Sequence, residues 1–220
     1  MKDITNVERH PSPLVTPQAL AWDGGELWLS SRDLGTLHRI DAETLQTVDE
    51  IDPPGIVWAG VNTNNGWRFT IGKGLNDDRY IYRYAADEGW TKLFACPELA
   101  GSYLSFNGDC LYLSRWYKGQ IHQMDDAGKV LRDIDIGAEI CGQTYVDEML
   151  YVLRGRENAD IAGAAEEWRI ARLDPREETP QIEDLATIPF AARSLAFDGR
   201  KFWSNHRAAN EIISFSLPPR

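Results

Sequence analysis

The sequence LAWDG at residues 20–24 recurs as LSFNG at residues 104–108 and as LAFDG at residues 195–199. A second apolar run follows each of these copies, and two weaker copies at residues 59–62 and 144–148 fill the gaps between them. The five copies recur at roughly 40 to 50 residues, which is the length of one blade of a β-propeller. The repeat therefore predicts five blades around a central channel.

A third strand follows the second in every copy, and a fourth, outer strand follows in the first three, at residues 47–51, 91–94 and 130–134. The last copy lacks an outer strand. We expect residues 3–7 to supply it, because pairing the two ends of the chain removes free sheet edges. The prediction is an all-β single domain over residues 1–220, a five-bladed β-propeller of four-stranded antiparallel blades closed by the N-terminal strand.

Composition excludes several classes of partner. The formal net charge of −11 argues against nucleic acid and anionic membranes, which bind clustered Lys and Arg. The first ten residues hold no apolar targeting segment, and no stretch approaches the roughly 18 apolar residues of a membrane span. We therefore expect a cytoplasmic protein that is a monomer or a weak homo-oligomer. The three cysteines contain no Cys-x-x-Cys pair and are interpreted as buried apolar residues.

The turns distinguish the two faces of the predicted propeller. Those between first and second strands are short and rich in Asp-Gly and Asn-Gly, the residues of tight hairpins. The loops between second and third strands are long, dissimilar and rich in charged and aromatic residues, and the longest spans residues 154–167. Binding groups usually lie on variable loops held by a rigid scaffold, so this second face is the predicted functional face.

Candidate binding residues lie where inner strands begin and where second strands end, since both positions meet at the mouth of the channel. Many are cationic, which in an acidic protein points to a small anionic ligand, such as a carboxylate, held by guanidinium groups. The alternative is that these cations only pair with nearby loop carboxylates. The predicted substrate-binding residues are Gln18, Arg32, Trp58, Lys73, Ser102, Arg115, Trp116, Gln143, Arg154, Arg193, Asn205 and Arg207.

His206 is the histidine predicted to lie at the mouth, where it is the candidate for proton transfer near neutral pH. Arg193 and Arg115 are its predicted electrostatic partners, and Tyr103 and Tyr117 are alternative acids. No Gly-x-Ser-x-Gly, His-Glu-x-x-His or phosphate-loop pattern is present.

Aromatic residues add a second candidate feature of the mouth. Trp58, Trp116 and Tyr117 are candidates for an aromatic wall, although tryptophans also pack between blades in this fold. The loop of residues 154–167 is either a lid over the mouth or a passive insertion.

A family resemblance rests on QALAWDGGELW at residues 18–28, continued by LHRIDAETL at residues 37–45. This pattern resembles the blade signature of the gluconolactonase-like, virginiamycin B lyase-like and bacterial glutaminyl cyclotransferase propellers, and the similarity covers essentially the whole chain. The cyclotransferases imply pyroglutamate formation in an aromatic pocket with an acidic residue, but no Gly-Glu-Gly opens an inner strand here. The gluconolactonase-like members imply a metal held by Glu, Asn and Asp. The inner-strand starts here offer no carboxylate, so we expect neither a metal nor a cofactor.

Three functions remain after this reasoning. The first is an enzyme that acts on a small carboxylate-bearing substrate at the cationic mouth. It would be a metal-independent hydrolase or lyase, or a cyclotransferase-like enzyme. The second is a binding protein or sensor that uses the same pocket without turnover. The third is a protein-interaction scaffold, which would favour a flat apolar face over a cationic funnel.

Overall fold

The computed structural model describes residues 1–74, 78–156 and 167–219, without the side chain of Arg156. It contains five four-stranded antiparallel sheets arranged as the blades of a propeller. The first strands of neighbouring blades contact one another around the ring. The predicted fold class is confirmed.

The regular structure begins with β1, Thr5–Pro11, which belongs to blade five. Blade one consists of β2 (Pro17–Asp23), β3 (Glu26–Ser31), β4 (Leu37–Asp41) and β5 (Thr47–Ile51), from the channel outward. Blade two consists of β6 (Ile56–Thr63), β7 (Gly66–Gly72), β8 (Tyr80–Ala85) and β9 (Gly89–Ala95). Blade three consists of β10 (Leu104–Phe106), β11 (Leu111–Arg115), β12 (Gln120–Met124) and β13 (Val130–Asp135).

Blades four and five complete the ring. Blade four consists of β14 (Glu139–Val146), β15 (Met149–Arg156), β16 (Glu167–Leu173) and β17 (Glu183–Ile188). Blade five consists of β18 (Ala192–Phe197), β19 (Phe202–His206), β20 (Glu211–Ser216) and, as its outer strand, β1. Two short 3-10 helices, Trp116–Lys118 and Arg207–Ala209, follow the second strands of blades three and five.

The N-terminal strand closes the ring, as predicted. β1 pairs antiparallel with β20, and Arg9 lies opposite Ile213 in the register. Next to this strand, the Ile4 amide donates to the Thr187 carbonyl oxygen at 3.1 Å, and the Ile4 side chain is buried in the core between blades four and five. The ring is therefore held shut by a backbone ladder and by an apolar contact.

Apolar side chains are buried between neighbouring blades. Between blades one and two, Trp28 and Trp67 lie with ring centroids 4.5 Å apart, and Phe69 stacks on Trp67 at 5.3 Å. Burial of each such side chain stabilises the fold by about 1.5–3 kcal/mol. Aromatic residues on the second strands are thus explained by packing between blades.

The inner strands of blades four and five approach each other closely at Gly142. A Cβ atom on this residue would lie 2.6 Å from the Ser194 carbonyl carbon and 2.8 Å from the Leu195 nitrogen. Real Cβ atoms do not come this close to backbone atoms, so the close spacing of these two inner strands requires glycine here.

Cys141 is buried, whereas Cys96 and Cys110 are only partly buried, and all three are free thiols. Burial raises the pKa of the Cys96 thiol to about 12. The interpretation of the cysteines as buried residues therefore holds fully for Cys141 alone.

No helix among the described residues is long and apolar enough to cross a membrane.

Candidate functional site

A cavity of about 480 Å³ opens where the loops between second and third strands converge. This volume lies within the range of small-molecule sites. We call it the arginine cavity. It is lined by Gln18, Arg32, Trp58, Arg79, Leu99, Ser102, Tyr103, Trp116, Tyr117, Arg193 and Arg207.

One position at the start of each inner strand supplies part of the lining. The sheet register makes Gln18, Trp58, Ser102, Cys141 and Arg193 equivalent in the five blades. All of them except Cys141 line the arginine cavity. In blades one, two, four and five the pairing of the inner strand with its neighbour is irregular here. Such bulges re-aim side chains at the rims of sheets, so this position faces the mouth.

A second repeated position lies directly after or at the end of the second strands. Arg32, Trp116 and Arg207 are equivalent by register, and all three line the arginine cavity. The corresponding residues in the other two blades are Gly72 and Gly155, which carry no side chain. These two repeated positions, in every blade except blade four, therefore supply most of the residues that line the cavity.

The charged residues that line the arginine cavity in the described part of the chain are all cationic. Arg32, Arg79, Arg193 and Arg207 line it, and no Asp or Glu side chain of residues 1–74, 78–156 and 167–219 does so. Four guanidinium groups without a lining carboxylate among the described residues give the cavity a positive electrostatic potential.

Two of these arginines are positioned by neighbouring polar and aromatic groups. Nη1 of Arg79 donates to Oγ of Ser102 at 2.7 Å, and the guanidinium lies 4.0 Å from the ring centroid of Trp58. Nη2 of Arg207 donates to Oε1 of Gln18. Gln18 is itself held, because its Nε2 donates to the Trp58 carbonyl oxygen at 3.3 Å. The guanidinium groups are thus oriented before any ligand binds, which lowers the entropic cost of binding.

Arg193 is held by a different set of contacts. Its Nη1 donates to the Ala192 carbonyl oxygen at 2.9 Å, and its guanidinium lies 4.5 Å from the ring centroid of Trp168. The side chain is buried, so its charge acts in a region of reduced solvent screening.

Tyr103 lies on the wall of the arginine cavity. Its burial raises the pKa of the phenol, while Arg193, Arg207 and Arg79 act in the opposite direction. Burial is the larger effect, so the hydroxyl stays protonated at neutral pH and can donate a hydrogen bond to an anion.

This raised pKa predicts an alkaline loss of stability. Unfolded tyrosine ionises near pH 10, whereas folded Tyr103 keeps its proton to higher pH. The contribution to the free energy of unfolding is therefore constant below about pH 10 and is lost as the pH rises further, by at most about 1.4 kcal/mol per pH unit. Denaturant unfolding between about pH 9 and pH 11 should show a shallower fall for Tyr103→Phe than for the wild type. A slope unchanged by Tyr103→Phe, or changed equally by the exposed control Tyr117→Phe, would contradict this.

Three predicted residues at equivalent register positions near the ends of the second strands do not line the arginine cavity: Arg115, Arg154 and His206. Nη1 of Arg115 donates to Oε1 of Gln120 at 2.9 Å, and Nε of Arg154 donates to Oδ1 of Asp184 at 2.7 Å.

His206 contacts residues beside the cavity rather than lining it. Its Nδ1 lies 3.4 Å from Oε2 of Glu211, and its ring packs against Phe190 at 5.7 Å. Side chains alternate along a strand, so these residues point away from the mouth while their successors point toward it. Arg193 therefore lines the arginine cavity, whereas its predicted partners His206 and Arg115 do not.

Three further predicted residues also lie outside the lining of the arginine cavity: Lys73, Gln143 and Asn205. Lys73 is exposed. Nε2 of Gln143 donates to the Tyr112 carbonyl oxygen at 2.6 Å, and Nδ2 of Asn205 donates to the Gln18 carbonyl oxygen at 3.1 Å. Gln143 and Asn205 join neighbouring blades through buried hydrogen bonds, so their polarity serves the fold.

Trp116 and Tyr117 form an aromatic rim. Their rings stack with centroids 4.3 Å apart, and Tyr117 is 69% exposed. The predicted aromatic wall is thus present beside the arginines. The predicted lid falls largely on residues 157–166, which lie outside the described part of the chain.

Arg79 and Leu99 were missed by sequence reasoning. Both lie outside the two repeated positions, because Arg79 directly precedes β8 and Leu99 follows β9. A basic residue ends the loop of residues 73–79, and this was the sequence signal for Arg79. The prediction chose Lys73, the basic residue that begins the same loop.

Among residues 1–74, 78–156 and 167–219, no group of three or more His, Cys, Asp or Glu side chains is arranged to hold a metal ion.

Comparisons with known proteins identify the fold. No protein-family model and no curated protein matches the sequence. Among solved structures, the chain is similar to Myxococcus xanthus glutaminyl cyclase, with 13% identity, a TM-score of 0.66, and coverage of 97% of this chain and 95% of that chain. Virginiamycin B lyase from Staphylococcus aureus gives 15% identity, a TM-score of 0.55, and coverage of 97% and 99%.

A third similar structure is Kuenenia stuttgartiensis hydrazine synthase, with 12% identity and a TM-score of 0.57 over 89% of this chain. This chain spans 63% of that chain's length. The resemblance to glutaminyl cyclase and virginiamycin B lyase propellers is confirmed at the level of architecture. Three different activities on one fold leave the function to be argued from the site.

Proposed function

We propose that the arginine cavity binds a small organic anion that also carries a flat apolar group. The observation that supports this proposal best is the set of four arginines, Arg32, Arg79, Arg193 and Arg207, around a concave cavity with no lining carboxylate among the described residues. Guanidinium groups bind carboxylates and phosphates through paired hydrogen bonds. The aromatic rings of Trp58, Trp116 and Tyr117 on the same wall supply the surface for the flat group.

Binding without turnover is the function that this geometry favours. The hydrolase or lyase hypothesis named His206 first as its proton-transfer group, and His206 contacts Glu211 and Phe190 and does not line the cavity. A protein-interaction scaffold would present a flat apolar surface, whereas this site is concave and cationic. The ligand-binding or sensor function therefore takes first place.

Replacement of Arg207 tests the proposal. 3-Phenylpropanoate, which joins a carboxylate to an aromatic ring, should bind the wild type and raise its melting temperature. Arg207→Gln should weaken this binding about tenfold, because a charge-assisted hydrogen bond is lost. Isothermal titration calorimetry measures the affinity.

Arg200→Gln is the matched control, since it removes the same charge from an exposed turn between β18 and β19. The neutral amide 3-phenylpropanamide controls for binding through the ring alone. Equal affinity of the acid and the amide, or an equal loss in Arg200→Gln, would remove the proposed function.

A lyase or hydrolase that uses Tyr103 is the second candidate. It is supported by one observation: Tyr103 lines the same cavity as Arg79, Arg193 and Arg207, and its phenol is protonated at neutral pH. In this scheme the arginines bind the substrate anion, and Tyr103 donates a proton to the leaving group. For any substrate found, Tyr103→Phe should lower kcat and leave KM unchanged; a full kcat in Tyr103→Phe would exclude this role.

A further inference from the structure

A second cavity of about 460 Å³ adjoins the arginine cavity. Three arginines, Arg32, Arg193 and Arg207, line both cavities and therefore stand between them. An anionic group bound by these arginines would have access to two spaces. We call the second space the Asp33 cavity, because Asp33 lines it.

The two cavities differ in chemistry. The arginine cavity is walled by aromatic rings, including Trp58, Trp116 and Tyr117. The Asp33 cavity is lined by small and polar side chains, among them Thr16 and Asn210. The first therefore suits a flat apolar group, and the second suits a polar group that donates hydrogen bonds.

Asp33 is the one carboxylate that lines either cavity within the described part of the chain. Its Oδ2 accepts a hydrogen bond from Oγ1 of Thr16 at 2.5 Å, and its Oδ1 lies 3.6 Å from Nε of Arg32. The backbone nitrogen of Thr16 donates to Oδ1 of Asn210 at 2.7 Å. The carboxylate is 58% exposed, so it is both held in place and open to a ligand.

The Asp33 carboxylate lies close to the Arg32 guanidinium. A ligand with one positive and one negative group at a similar spacing, a zwitterion, can pair with both. We propose that the arginine cavity and the Asp33 cavity, together called the joint site, recognise a small zwitterion with an aromatic group, as in an aromatic α-amino acid or a small derivative of one. The carboxylate lies on the shared arginines, the ammonium group lies on Asp33, and the ring lies against the aromatic wall. This inference rests on the proposed anion binding and adds the second charge.

The relative affinity of L-phenylalanine and 3-phenylpropanoate decides whether the ligand uses the joint site or the arginine cavity alone. An ammonium group near four arginines is repelled unless a carboxylate receives it. If the arginine cavity alone binds the ligand, 3-phenylpropanoate must bind more tightly than L-phenylalanine, which differs only by its ammonium group. If Asp33 receives the ammonium group, the order is reversed.

Calorimetric titration of the wild type with the two compounds tests the inference. We expect L-phenylalanine to bind more tightly than 3-phenylpropanoate by about fivefold, as for a partly exposed ion pair. Asp33→Asn should reverse the order, whereas Asp109→Asn, an exposed carboxylate in the turn between β10 and β11, should leave it unchanged. N-acetyl-L-phenylalanine, whose nitrogen is uncharged, should not bind the wild type more tightly than 3-phenylpropanoate. This comparison tests the ammonium group without any change to the protein.

The possible failures are distinguishable. Tighter binding of 3-phenylpropanoate than of L-phenylalanine by the wild type would overturn the zwitterion inference and leave anion binding standing, provided that Arg207→Gln still weakens it. An order unaffected by Asp33→Asn or by acetylation would also overturn the inference. Binding of neither compound would remove the proposed function together with the inference.

Discussion

Removal of residues 1–11 is expected to lower the free energy of unfolding by roughly 5 kcal/mol. The deletion removes β1, so the β20 edge of blade five loses its backbone ladder, and each net hydrogen bond contributes about 1 kcal/mol. It also removes Ile4 from the core between blades four and five. Denaturant unfolding followed by tryptophan fluorescence measures the loss.

Complementation controls this experiment. A synthetic peptide of residues 1–13 added to the truncated chain should restore most of the lost stability, because it can pair with β20 in the native register. A peptide of the same composition in scrambled order should not. Unchanged stability of the truncated chain would show that the ring does not depend on its N-terminal strand.

Gly142→Ala is expected to destabilise the protein by about 2–3 kcal/mol, the cost of overpacking a filled interior. The added methyl group would meet the backbone of Ser194 and Leu195, which cannot rotate away as a side chain can. The inner strands of blades four and five must then separate. Thermal and denaturant unfolding measure the effect.

Gly25→Ala is the matched control. Gly25 lies between β2 and β3, and no atom lies within 4 Å of the place that an added methyl group would take. The same change should therefore alter stability by less than about 0.5 kcal/mol. Equal losses in the two variants would show that the close approach at Gly142 carries no special cost.

The fold was predictable because the repeat constrains it several times over. Each blade repeats the same order of apolar runs and turn residues, so the clear copies show where the strands lie in the copies with a weak pattern. The weakest copy, at residues 59–62, still forms the inner strand β6, Ile56–Thr63. Ring closure by residues near the N-terminus followed from a count of strands.

The candidate site was predictable at the level of blade position but not of single residues. The starts of the inner strands were identified correctly for Gln18, Trp58, Ser102 and Arg193. At the ends of the second strands, neighbouring residues were all assigned to the mouth, although a pleated strand sends alternate side chains to opposite sides. Arg32 and Arg207 therefore line the cavity, whereas Arg115 and His206 do not.

Register explains the wrong assignment of Gln143. In blade four the equivalent of Gln18 is Cys141, two residues earlier, as the strand pairing shows. This copy of the repeat is degraded, so no motif fixed its alignment, and a shift of two residues keeps the side-chain alternation intact. Arg79 lies outside both repeated positions, so the repeat did not predict its place beside Trp58.

At the start of the inner strands, the residues that line the cavity differ from those that stabilise the ring. Stability resides in the ladders and in the packing between blades, whereas Gln18, Trp58, Ser102 and Arg193 line the arginine cavity. Exchange of these four residues is therefore expected to change the ligand preference of the proposed site while the ladders of the ring persist. The equivalent position in blade four is different, because Cys141 is buried in the core between blades four and five and lies outside the cavity lining, so a larger side chain there would disturb the packing.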